Sequence, residues 1–216
     1  MGYVPGAIWM SEKTASEIRA WRSVERARLL ELRREMPLAV HQQANEKIQK
    51  DLLQRLPPDS HELIGCYWPF RREFNCVPYM REVLARGGRA ALPVVIGRGK
   101  PLEFRCWTEK AAMQRGVWDI PHPAAGEPVF PSALVIPLVG FDDAGYRLGY
   151  GAGYYDMTIA RFAVRPLCVA VGFEFSRLST IHPQPHDQPM DVIITEAETR
   201  NIFRSQGGWR KDDRIA

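Results

Sequence analysis

The stretch GYGAGYYD, Gly149 to Asp156, alternates three glycines with larger residues and ends on a carboxylate. Glycine at this density lets the backbone approach a ligand closely, or lets it take φ > 0. With an anion present, such a loop is a phosphate cradle built from backbone N–H groups. Without one, it is a tight turn between a strand and a helix. The pattern is G-x-G-x-G. Tyr154 stands where a dinucleotide fingerprint needs its last glycine, and no G-K-[ST] follows as in a P-loop. The loop contains no lysine or arginine, and its composition leaves both readings open.

Other residues face the same choice. Asp156 in the first turn of a helix complements the helix dipole, or serves as a hard ligand for the Mg²⁺ of a nucleotide. The second carboxylate of such a site has candidates in HPQPHDQPMD, residues 182–191, where Asp187 and Asp191 flank the start of the last expected strand. Both also suit a turn. His182 and His186 have H-x₃-H spacing, but Pro183 and Pro185 exclude the regular helix on which that spacing would pair two zinc ligands. In WPFRREF, residues 68–74, aromatic side chains flank Glu73. An aromatic wall with a carboxylate suits a flat heterocycle bearing N–H donors; core packing with a surface charge is the plainer reading. Arg19, Arg22, Arg26 and Arg28 alternate with Glu17 and Glu25. They form either a solvated, ion-paired face or a set from which some turn inward onto phosphates.

The elements that must carry these residues follow from periodicity. Ile18, Trp21, Val24, Leu29, Leu32 and Met36 predict a helix over residues 16–36, which Pro37 breaks. Val40, Ala44, Ile48, Leu52 and Leu56 recur every fourth residue and predict a second helix. NCVPYMREVLARGG predicts a third, with Asn75 as N-cap and Gly87 as stop. A fourth is expected over residues 154–162. Near-continuous apolar strands are expected at 63–70, 89–95, 101–107, 133–139, 167–173 and 192–195. Such strands alternating with helices predict an α/β fold: a three-layer α/β/α sandwich around a mainly parallel, Rossmann-like sheet. Residues 16–203 form the expected domain, between a flexible leader at 1–15 and a polar tail at 204–216.

Composition narrows the function classes. With 45% hydrophobic residues, the 216-residue chain can bury a substantial core. A net charge of +4 suits anionic small ligands at least as well as nucleic acid. Because the arginines are interleaved with acids and no RNA-binding motif is present, nucleic acid is not an expected partner. No membrane-length apolar run and no signal-peptide pattern occur, which predicts a cytoplasmic protein. Cys66, Cys76, Cys106 and Cys168 have neither CxxC nor zinc spacing and are expected as reduced, buried or half-buried thiols.

The longer segment LVIPLVGFDDAGYRLGYGAGYYD resembles the signature of the 5-formyltetrahydrofolate cyclo-ligase family: a strand, G-x-[AG]-F-D, a turn, then G-x-R-L-G-x-G-x-G-Y-[YF]-D. The resemblance extends through IGCYWPFRREF, LEFRCW, VAVGFEFSRL and PHDQPMDVIIT, over about residues 18–200. It implies an ATP- and Mg²⁺-dependent conversion of 5-formyltetrahydrofolate to 5,10-methenyltetrahydrofolate, by a monomer. ATP phosphorylates the formyl oxygen and N10 closes the ring, with no nucleophilic side chain needed.

Carried over by position, the resemblance implies that Arg147, Leu148, Gly149, Tyr150, Gly151, Ala152, Gly153, Tyr154 and Tyr155 hold ATP, with Arg22 and Arg26 from the first helix. Arg147 and Arg22 would neutralise phosphate charge. Asp156 and Asp187 would hold Mg²⁺. Glu73 would hold the pterin, with Trp68 as an apolar wall and Tyr150 to Tyr154 also facing the folate. Two features depart from the family pattern. Tyr150 and Ala152 stand where the family loop, often G-R-G-[GK]-G, carries basic or small residues, and Arg22 stands where lysine is common. The loop departure motivates an alternative reading, a non-catalytic nucleotide- or folate-binding relative.

Overall fold

The structure, a computed structural model, describes residues 13–202. The expected tail at 204–216 and most of the expected leader lie outside the described residues, and Ala15 already belongs to the first helix. Helix α1 runs Ala15–Glu35. Thr14 caps it: its side chain accepts from the Glu17 N–H while the Glu17 carboxylate accepts from the Thr14 N–H. Helix α2 runs Leu38–Arg55, α3 Val77–Ala85 and α4 Tyr154–Ile159.

Seven strands form the main sheet. In spatial order they are β12 (Thr199–Asn201), β11 (Val192–Ile194), β9 (Leu167–Val171), β6 (Ala133–Pro137), β1 (Leu63–Gly65), β2 (Arg89–Val95) and β3 (Leu102–Trp107). The five inner strands are parallel and the two edge strands antiparallel. The strands of β6 explain their own apolar run. Ala133 and Val135 face one core with α2 and α3, while Leu134 and Ile136 face another with Ile159 of α4. Both faces are dry, so no position is left for a polar residue.

Two small ribbons complete the fold. One pairs β4 (Met113–Arg115) with β5 (Pro121–Pro123); the other contains β7 (Gly140–Asp142), β8 (Arg147–Leu148) and β10 (Arg177–Leu178). Helix α1 packs Leu29 against Val139 and Leu148 of the second ribbon.

Several expected boundaries move. The strand expected at 63–70 ends at Gly65, because residues 66–76 leave the sheet to form part of the site described below. The expected helix at 154–162 ends at Ile159. Asn75 is not the N-cap of α3; Cys76 is, and the Asn75 side chain accepts the Val77 N–H from one residue further out. Cys106 is exposed rather than buried, since it lies on edge strand β3.

The sheet order sets the position of the site. From β1 the chain moves to β2 on one side and later returns to β6 on the other. A parallel sheet that reverses direction in this way opens a crevice at the carboxyl ends of the two diverging strands. The segments leaving β1 and β6 carry WPFRREF and the glycine loop.

Candidate active site

A cavity of about 490 Å³ occupies that crevice. It is lined by all the residues singled out in the sequence by the family resemblance: Arg22, Arg26, Trp68, Glu73, Arg147 to Asp156, and Asp187. Asp191 and Arg28 are not in its lining. Asp191 pairs with Arg165 at 2.6 Å, and Arg28 with Glu25 at 2.7 Å on the solvated side of α1.

The loop itself is a turn of defined shape. Gly151 has φ +98° and Gly153 has φ +68°, values that L side chains rarely adopt, which is why glycine recurs there. Gly153 is the residue before α4, so the loop turns directly into the helix. The cations absent from the loop arrive from outside it. Arg26 donates from Nε to the Gly149 carbonyl at 2.7 Å. Burial and the nearby Arg22 push the Arg26 pKa down, and among the described residues no carboxylate forms an ion pair with Arg26. A half-buried guanidinium lacking a counter-ion is a ready acceptor of an anion.

The two carboxylates are held by the other two arginines. Arg22 pairs with Asp187 at 2.5 Å and also donates to the carbonyls of Ile181 and His182. The Asp187 pKa lies below the ordinary carboxylate range: burial raises it, but hydrogen bonds from Arg22 and the Gln184 N–H outweigh that. Arg147 pairs with Asp156 at 3.2 Å, and the same Asp156 oxygen accepts the Gln188 N–H at 3.0 Å. The Arg147 guanidinium also lies 5.7 Å from the centre of the Tyr155 ring. Among the described residues no cluster of three or more metal-ligating side chains occurs. Two hard carboxylates in one cavity nevertheless fit Mg²⁺, which usually takes one or two carboxylates and completes its shell with water and phosphate. Leu148 contributes differently from its neighbours. Its side chain is 2% exposed and packs with Leu29 and Ile181 in the core.

At the other end of the cavity stands Glu73, 5% exposed. It is aimed by a turn in which Arg71 and Arg72 take φ of +46° and +59°. Such left-handed non-glycine residues cost of order 1 kcal/mol each. Arg72 offsets this by donating to the Arg34 and Met36 carbonyls at the C-terminal end of α1, at 2.5 and 2.6 Å. The Glu73 carboxylate then accepts from the Phe70 N–H at 2.8 Å and the Tyr150 hydroxyl at 3.0 Å. Burial pushes its pKa up to about 7, against the lowering effects of Arg33 and these two hydrogen bonds. Phe70, Trp118 and Tyr150 form an aromatic box lining the same cavity, with Phe70 and Trp118 stacked at 6.3 Å and 9°. Trp68 lines the same wall against Trp107.

The chain as a whole is similar to known proteins. The model of the 5-formyltetrahydrofolate cyclo-ligase family matches residues 18–196. The chain belongs to this family. It is 30% identical to the 5-formyltetrahydrofolate cyclo-ligase of Mycolicibacterium smegmatis over 195 residues, covering 86% of this chain and 95% of the relative. It is 25% identical to the Mycoplasma pneumoniae cyclo-ligase, covering 79% and 96%. Its fold superposes on the solution structure of Aquifex aeolicus 5,10-methenyltetrahydrofolate synthetase with a TM-score of 0.74 at 27% identity, covering 89% and 98%.

Two site residues of this family member escaped the sequence reading. Trp118 sits in an irregular turn with φ +58°, which no periodicity marks. Arg33, 1% exposed, donates to the Leu138 carbonyl at 2.5 Å and the Tyr150 hydroxyl at 3.2 Å. A signal for Arg33 existed: Arg22, Arg26, Leu29 and Arg33 fall at intervals of four, three and four, one stripe of α1. The glycine loop has no cation of its own, and its Tyr150 meets an arginine from α1.

Proposed function

We propose that the protein is an ATP- and Mg²⁺-dependent 5-formyltetrahydrofolate cyclo-ligase that releases 5,10-methenyltetrahydrofolate, ADP and phosphate. The observation that carries this reading is the single cavity in which an arginine-and-glycine end meets an aromatic-and-glutamate end at Tyr150. One end suits a polyphosphate, the other a heterocycle. Their junction is where a γ-phosphate and a formyl oxygen would meet. Family membership adds the substrate class.

The chemistry asks for position and charge rather than a nucleophilic side chain. The formyl oxygen attacks the γ-phosphorus, and ADP leaves. N10 adds to the activated carbon and loses its proton. The carbon–oxygen bond then breaks, phosphate departs, and the methenyl cation remains. Arg147, Arg22 and Arg26 hold the phosphates and offset their charge. Glu73 accepts from the pterin N–H groups, and the aromatic box stacks on the rings and keeps water out. Mg²⁺, when bound by Asp156 and Asp187, supplies charge neutralisation on the nucleotide.

Mixing protein, MgATP and 5-formyltetrahydrofolate is expected to produce the near-ultraviolet absorbance of methenyltetrahydrofolate over many turnovers. A flat trace with folded protein removes the reading. Stabilisation by ligands without turnover supports the non-catalytic alternative, which the departures at Tyr150 and Ala152 motivate. Asp156→Asn is expected to keep the Gln188 hydrogen bond and the fold while turnover falls by about 10²-fold. The Mg²⁺ concentration needed for half-maximal rate should rise with it. An unchanged Mg²⁺ dependence counts against Asp156 as a metal ligand.

A further inference from the structure

Among the described residues Arg33 is the largest fully buried side chain. A guanidinium taken out of water costs several kcal/mol unless charge or hydrogen bonds compensate. Its compensation is unusual. Among the described residues no carboxylate lies within ion-pairing distance of it, and its Nε is buried without a hydrogen-bond partner. Its two terminal nitrogens are spent on the Leu138 carbonyl, just beyond β6, and on the Tyr150 hydroxyl. The Tyr150 hydroxyl in turn donates to Glu73 at 3.0 Å. The polarity runs one way along the chain: Arg33 N–H to Tyr150 oxygen, Tyr150 O–H to Glu73 carboxylate. Each bond in such a relay strengthens the next.

The relay adds a link between three elements: α1, the glycine loop and the turn after β1. It also decides what Glu73 has left to offer. An ionised carboxylate accepts about four hydrogen bonds and donates none. The Phe70 N–H and the Tyr150 hydroxyl occupy two of them, which leaves acceptor capacity for a ligand. A protonated Glu73 would present a donor against the N–H edge of a heterocycle.

We propose that Arg33 is a positioning residue for the folate: acting through the Tyr150 hydroxyl, it orients the Glu73 carboxylate to accept N–H groups. The inference rests on the cyclo-ligase reading for its ligand. The other groups that influence Glu73 cannot do this. Tyr67 and Tyr155 also feel its charge, but burial raises the pKa of both far above the ordinary tyrosine range, so both stay neutral. Tyr150 is likewise neutral, raised by burial and by Glu73 itself. Of the charged groups, Arg33 is the one that lowers the Glu73 pKa. Tyr150 therefore fills the place of a loop cation and transmits one from the helix.

The test is 5-formyltetrahydrofolate binding between pH 6 and 9, measured by calorimetry, with circular dichroism confirming the fold. Affinity in the wild type should rise with pH as Glu73 ionises. In Arg33→Met the carboxylate loses its cation, so the midpoint should move upward by about one pH unit and affinity at pH 7 should fall by roughly fivefold. High pH should restore most of that loss, which a merely structural defect would not do. Arg33→Lys should return part of the shift. Should Arg33→Met fail to fold, Tyr150→Phe removes only the bridging hydroxyl and should move the midpoint in the same direction. Folate binding with an unmoved midpoint in the folded variant overturns the inference alone. Absence of folate binding to the wild type overturns it together with the cyclo-ligase reading.

Discussion

Replacing Arg147 with methionine is expected to lower kcat by about 10³-fold, the scale seen when a cation that neutralises a transferring phosphoryl group is removed. The side chain is 4% exposed and sits where three site elements meet. It pairs with Asp156, donates to the Gln188 carbonyl at 3.3 Å and lies over the Tyr155 ring. In the free protein its charge is divided between Asp156 and these dipoles. When a phosphate and a cation enter, Asp156 can turn to the metal, and Arg147 is released to the phosphate. The arginine is thus needed most when negative charge is greatest, so kcat should fall more than the KM for ATP rises. Removing it also leaves Asp156 with the Gln188 N–H alone among its present partners. That carboxylate is 18% exposed, so the stability loss should stay near 1–3 kcal/mol rather than reach the cost of a fully buried orphan charge. Arg147→Lys should recover part of the rate, since it restores charge without the planar fork. A kcat within threefold of the wild type, with a normal melting curve, removes Arg147 from the phosphate site.

Much of this geometry was legible because two different signals pointed to the same place. The apolar runs at 89–95, 133–139 and 167–173 required a sheet buried on both faces, and β2, β6 and β9 are such strands. The residues that the long signature around the glycine loop singled out line one cavity, although three glycines alone left cradle and turn undecided. What was not legible depended on irregular backbone. The turn that aims Glu73 uses left-handed Arg71 and Arg72, and arginine has no preference for that conformation. Its stability comes from Arg72 gripping carbonyls 36 and 38 residues away in sequence. Trp118 is in the same position, placed by a turn rather than by a period. Arg33 was hidden for another reason. In ELRREM it sits among charged residues on a helix with a solvated face, and charge is a strong sign of exposure. Only the stripe it shares with Arg22, Arg26 and Leu29 marks it as inward.

Glu73→Gln separates the roles of charge and shape at the folate end, and two opposite effects are expected from it. Binding should suffer. The glutamine amide keeps one acceptor but sets a donor against the N–H edge of the pterin, leaving a buried polar group unpaired. Sites built to pair a particular hydrogen-bonding edge lose heavily when one partner is reversed, so the Kd for 5-formyltetrahydrofolate should rise by roughly 10²-fold or more. Nucleotide binding should change far less, since Glu73 lies at the other end of the cavity from Arg22 and Asp187. Stability should move the other way as pH rises. The folded-state pKa of Glu73 is about 7, against an ordinary value of 4.5. The folded protein therefore holds this proton more tightly than the unfolded chain does, and Glu73 makes the native state lose stability as pH climbs from about 4.5 to about 7. Above that window the full cost, of order 3 kcal/mol at most, is in place. Glutamine carries no charge to bury, so its advantage over the wild type should be absent near pH 4 and grow through the window. Urea midpoints at pH 4.5, 6 and 8 would show it as a widening gap. A gap that is constant with pH would mean that Glu73 is not held against its own ionisation, and that its carboxylate reaches water more freely than a 5% exposed residue should.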